Sequence, residues 1–136
     1  MPNRINHLAV FVAAVVFFAW GALWFTALGG IWAGLIGHLP GNPSPAPFII
    51  SFVMGWIVSY VVAIALTRHP EDQTARQGVG FGLFTGIGLY ATMLLNQFTF
   101  EQRPFALWLI DAGYAVIGFA IVGAIVGGWK KRARAS

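Results

Sequence analysis

The chain has 136 residues, of which 58% are hydrophobic and 9% charged, against roughly 45–50% and about 25% in ordinary soluble domains. A fold this short cannot bury so much apolar surface and still present a charged exterior, so a water-soluble enzyme or binding module is excluded and the solvent must be largely lipid. The net charge of +4 is no sign of nucleic acid. Its densest cluster, Lys130-Lys131-Arg132-Ala133-Arg134, directly follows an apolar segment, where basic residues fix topology and touch anionic headgroups.

The charges divide the chain. None falls between Arg4 and Arg68, between Arg76 and Glu101, or between Asp111 and Lys130. A helix needs about 20 mostly apolar residues to cross the hydrocarbon core, so the first gap holds two spans and each later gap one. An all-α polytopic membrane protein is expected, a single four-helix transmembrane domain over residues 1–136 with spans near 7–29, 47–67, 78–96 and 105–129. Runs such as Leu8 to Ala19 lack the alternation of polar and apolar residues that a β-barrel strand requires.

The first span carries Trp20 and Trp24 on one face, with Phe17, Phe18 and Phe25 around them; such a stripe reads as core or lipid contact. Its apolar run is longer than the roughly 7–15 residues of a cleaved signal peptide. Residues 31–39, with Trp32 and His38, read as a short helix in the outer interface. Residues 41–47 hold three prolines and form a spacer. In the second span Ser51, Gly55, Ser59, Ala63 and Thr67 recur every four residues as one stripe of small side chains. The middle loop contains Pro70-Glu71-Asp72, an order that suits a helix start. Along the third span Gly78, Gly82, Thr85, Thr92 and Asn96 fall near one face, and the fourth adds Gly113, Gly118, Gly123 and Gly127. Small residues let helix backbones approach closely, the main source of helix association in lipid, so these stripes read first as packing surfaces.

Seven of the eight Lys and Arg residues lie at the termini and in the middle loop, and only Arg103 lies on the other side. Positive charge marks the cytoplasmic face, which places both termini in the cytoplasm, in a bacterial inner membrane.

Chemistry can sit only on polar residues within the spans. Asp111 is the one carboxylate there, and ionising it in hydrocarbon costs at least about 2.5 kcal/mol, so it must meet other helices, pair with a cation or stay protonated. Arg103 is the natural counter-charge, eight residues earlier in sequence and about 12 Å along a continuous helix. Tyr114, one turn on, is placed to share a hydrogen-bond network with it. His7, His38 and His69 are scattered over different segments and read as interfacial histidines, which leaves no metal site. With no cysteine and no nucleophile elbow, zincin motif or phosphate loop, the chain is expected to be no enzyme, with no catalytic residues and no cofactor.

Asn6-His7-Leu8-Ala9-Val10, Gly21-Ala22-Leu23-Trp24-Phe25 followed by Trp32, and Phe100-Glu101-Gln102-Arg103-Pro104 leading into Leu109-Ile110-Asp111-Ala112-Gly113-Tyr114 resemble the bacterial membrane family known as domain of unknown function 1761. The resemblance implies a four-helix membrane protein, supplies no activity, and directs attention to Trp24, Asn96, Glu101, Arg103, Asp111 and Tyr114. Two readings of function stand open. One is a small homo-oligomeric transporter or channel, its substrate unspecified, in which Asp111 with Asn96 and Thr92 forms a polar site. The other is a non-transporting scaffold or accessory subunit whose small-residue stripes bind other helices in the bilayer.

Overall fold

The computed structural model describes residues 4–36 and 45–130. The start of the proline spacer, His38 and the basic tail after Lys130 lie outside the described residues. Helix α1 (His7–Ala27) starts where the Asn6 side chain accepts a hydrogen bond from the Ala9 N–H at 3.2 Å, a regular N-cap. It bends at Leu28 into the short helix α2 (Gly29–Ile36), so the first part of the expected interfacial segment is helical. Helix α3 (Ala46–Thr67) opens with proline in its first turn, where the missing N–H costs nothing. The third span is built from α4 (Ala75–Thr85), a π-helical turn over Gly86–Ala91, and α5 (Thr92–Phe100); α6 (Phe105–Gly128) is the fourth. All four spans are long and apolar enough to cross a membrane, and their exteriors are dressed with exposed Leu23, Ile49, Val61, Phe84 and Met93, a surface that fits lipid.

One helix start differs from expectation. Pro70–Asp72 forms a separate 3-10 turn, and α4 begins at Thr74, whose hydroxyl accepts from the Gln77 N–H at 3.1 Å. The reason is Gln73. Its backbone leaves helical geometry, and its side chain is buried beneath α6, where its amide donates to the Val126 carbonyl at 3.3 Å.

At the opposite end α5 turns into α6 through Gln102, the one positive-φ residue besides glycines (φ 56°) among the described residues. The N–H groups of Gln102 and Arg103 return to the carbonyls of Thr99 and Phe98, at 3.2 and 2.9 Å. This paired arrangement closes a helix C-terminus, after which Pro104 forbids continuation.

Helix α6 holds the centre and packs against α1, α3 and α4. With α4 the contact is backbone on backbone: Gly78 meets Gly123, Gly82 meets the Phe119 carbonyl, and Gly127 meets the Thr74 carbonyl, and a Cβ at any of these positions would overlap main-chain atoms. With α1 it is ring on glycine, the Phe17 ring lying over Gly118 and the Trp24 ring over Gly113. Phe17 also closes the core of Val10, Ala13, Val62, Ala63, Leu66, Val122 and Val126. The second-span stripe is buried at Gly55, Ser59, Ala63 and Thr67, whereas Ser51 is exposed. The third-span stripe holds only through its glycines. Thr92 and Asn96 stand exposed, because the π turn absorbs an extra residue and rotates everything after it by about 100° relative to a continuous α-helix.

Gly82→Leu is therefore expected to abolish folding or assembly, and even Gly82→Ala to cost about 1–3 kcal/mol. At Gly55 an added Cβ would lie 3.6 Å from the Phe17 ring, so Gly55→Leu disrupts while alanine fits. Gly80, where a Cβ meets nothing within 4 Å, accepts leucine. Thermal unfolding and light-scattering mass in mild detergent check all five; equal stability of the Gly82 and Gly80 variants would refute the contact.

Candidate functional site around Asp111

Asp111 sits nearly two turns into α6, half-buried. Its Oδ1 atom is buried and accepts no hydrogen bond among the described residues. Because α2 folds back against α6, the Trp32 side chain comes near the Asp111 carboxyl without making a regular hydrogen bond to it among the described residues. Tyr90, in the π turn, and Arg103 lie within electrostatic range of the same carboxylate.

Arg103 is not the direct partner of Asp111. Its Nε pairs with Glu101 Oε2 at 2.9 Å, both side chains being nearly half exposed, and its guanidinium covers the Phe98 ring at 5.2 Å. The helix-closing turn at Gln102 explains this choice, since it holds Glu101 and Arg103 side by side at the mouth of the α5–α6 hairpin while Asp111 lies deeper. Gln97 adds a long contact to Glu101, 3.5 Å.

Tyr114 makes no hydrogen bond to Asp111 among the described residues. Its ring lies between Phe17 and Phe25, with centroids at 5.4 and 5.1 Å, and passes over Gly21. The tryptophans of α1 do more than fill space. Trp24 donates its indole N–H to the Ile110 carbonyl at 3.0 Å, and Trp20 donates to the Tyr114 carbonyl at 3.1 Å. These acceptors lie on either side of Asp111, so α1 grips the backbone of the turn that carries it. Trp108 does the same for the third span, donating to the Ala91 carbonyl at the end of the π turn, 2.9 Å.

The remaining candidates lie apart. Thr92 returns its hydroxyl to the Ile87 carbonyl at 2.9 Å and lines a groove with Trp108, Ala112 and Gly113. Asn96 is exposed, with no hydrogen bond among the described residues. Trp32, Tyr90 and Gln73 were not singled out as site residues. Trp32 lies in a segment that looks interfacial, and Tyr90 joins only because of the π turn; neither leaves a periodic signal. No three His, Asp or Glu side chains gather as a metal site among the described residues.

Four apolar helices around a half-buried carboxylate define a small polytopic helical membrane protein. Residues 8–127 match the family described as protein of unknown function, DUF1761, and the chain belongs to that family. No curated protein and no solved structure matches it.

Trp24→Phe deletes the donor to Ile110 together with the outer indole ring that lies over Gly113, and should cost at least about 0.5–1.5 kcal/mol in a denaturant titration. Trp56, whose indole N–H makes no hydrogen bond among the described residues and whose ring meets Phe11 and Phe52 edge-to-face, is the control; Trp56→Phe should change little. An equal loss in both would mean that ring packing alone holds α1.

Proposed function

We propose that the chain works as a small homo-oligomeric transport protein of a bacterial cytoplasmic membrane, with both termini in the cytoplasm and Asp111 as its proton- or cation-accepting group. The observation that carries this reading is the buried, unpartnered Oδ1 of Asp111, combined with the commitment of Arg103 to Glu101. A carboxylate retained in hydrocarbon without a bound counter-charge is expensive, and such residues mark ion or proton sites. Because α6 occupies the centre of the bundle, the passage forms between copies. Orientation rests on the skew of Lys and Arg toward the termini and the loop of residues 68–76.

The alternative, a scaffold or accessory subunit, is favoured by one different feature. Asn96 exposes an amide on the third span with no hydrogen bond among the described residues, and an amide in hydrocarbon finds its hydrogen bonds on another helix. Both readings require assembly; only the first requires flux.

Native mass in mild detergent should give more than one chain, and proteoliposomes loaded with a pH-sensitive dye should show pH-dependent flux. Asp111→Asn should assemble normally and lose that flux, whereas Asp111→Leu should fail to fold. Asn assembling with flux intact would remove Asp111 from the path; wild-type assembly without flux would leave the scaffold reading. Reporter fusions after Ser136 and within residues 42–47 should report opposite sides, with the tail cytoplasmic.

A further inference from the structure

A hydroxyl on a lipid-embedded helix ordinarily donates to its own backbone, and five in this bundle do. Ser59 bonds the Gly55 carbonyl, Thr67 that of Ala63, Thr85 that of Phe81, Thr92 that of Ile87 and Thr99 that of Leu95, all at 2.8–2.9 Å. Thr26 and Ser51 do not: neither has a hydrogen bond among the described residues, although each has a helical carbonyl one turn before it. They stand on different helices, yet both line one cavity of about 460 Å³ between α1 and α3. The Tyr114 side chain, whose hydroxyl likewise has no hydrogen bond among the described residues, lines the same cavity. Three unspent O–H donors share one space.

The walls state what the space accepts. Phe18, Phe25 and Phe48 line it together with the Tyr114 ring, and none of its lining residues is charged. Aromatic walls favour a flat ring, which they contact edge-to-face or in offset stacks. A phosphate or ammonium head would find no counter-charge there, and its desolvation would go uncompensated. Three donors call for acceptor oxygens. The depth is also defined: Thr26 is the second-last residue of α1 and Phe48 the third of α3, so a head in the cavity lies near one end of the spans and its tail can follow the α1–α3 seam into hydrocarbon. The volume falls within the roughly 300–1,000 Å³ of small-molecule sites.

We infer that this cavity binds an uncharged, ring-bearing membrane amphiphile with carbonyl oxygens, of the quinone class, held by the hydroxyls of Thr26, Ser51 and Tyr114. The site rests on its own hydroxyls and stands whether or not Asp111 serves transport.

The full chain in nanodiscs, titrated with decylubiquinone and followed by tryptophan fluorescence, tests it. Saturable quenching is expected, with decylbenzene, which has ring and tail but no oxygens, competing at least tenfold more weakly. Thr26→Val, Ser51→Ala and Tyr114→Phe should each weaken binding about fivefold, the worth of one hydrogen bond. Ala22→Leu should block the cavity, and Thr99→Ala, whose hydroxyl is spent on its own helix, should bind as the parent chain does. If Tyr114→Phe unfolds, the two exposed positions, Thr26 and Ser51, decide. Quenching that never saturates, decylbenzene competing equally, or undiminished affinity in both Thr26→Val and Ser51→Ala would overturn the assignment.

Discussion

Gly78 and Gly123 touch through their backbones, and this approach of α4 to α6 determines how closely everything else can pack. Lipid gives two helices no hydrophobic reason to meet, so the association has to come from contact itself, and main chains can reach each other only where side chains are missing. With α4 held against one side of α6, the other sides are left for α1 and α3, and the contacts of α4 lie chiefly with α6 rather than with α3. An apolar groove of about 490 Å³ lined by Val58, Val61, Phe81 and Leu89 occupies the gap.

The two sides of α6 are held by different means. Toward α4 it presents bare glycine backbone; toward α1 it presents glycines as sockets for Phe17 and Trp24, and carbonyls as acceptors for two indoles. Inside a bilayer a polar atom that leaves its helix needs a partner elsewhere in the protein. Most of the hydroxyls and three of the indoles here obey. The hydroxyls of Ser59, Thr67, Thr85, Thr92 and Thr99 fold back on their own helices, and three indoles bridge to neighbouring ones. Among the described residues the Asp111 Oδ1 stands out as the buried exception, beside the exposed Thr26, Ser51 and Asn96.

The spans were legible because scarce charges act as punctuation: Arg4, Arg68, Arg76, Glu101, Arg103 and Lys130 flank the helices, the proline spacer divides the first gap in two, and Asp111 alone falls inside a helix. The packing glycines were legible from their spacing, and Asp111 from being the one carboxylate inside a span. What periodicity cannot carry is direction in space. The bend at Leu28 returns Trp32 to α6, an approach between residues far apart in sequence. The π turn shifts the phase of α5, so Thr92 and Asn96, aligned with Gly78 on an uninterrupted helix, face outward instead. The tryptophans of α1 were visible as a stripe, but an indole's hydrogen-bond acceptor is a backbone atom and has no sequence signature.

The helix on which the others lean is also the last of the four to be synthesised. When α1 and α3 enter the membrane they have each other, through Phe17 and the alanine and valine faces around it, while the third span still lacks α6, against which most of its packing is made. The bundle therefore closes in a single late step, when α6 arrives between two separate parts and supplies glycines to both. A ribosome that stalls before residue 105 releases a chain whose third helix lacks its main packing partner, a segment of the kind that membrane quality control removes.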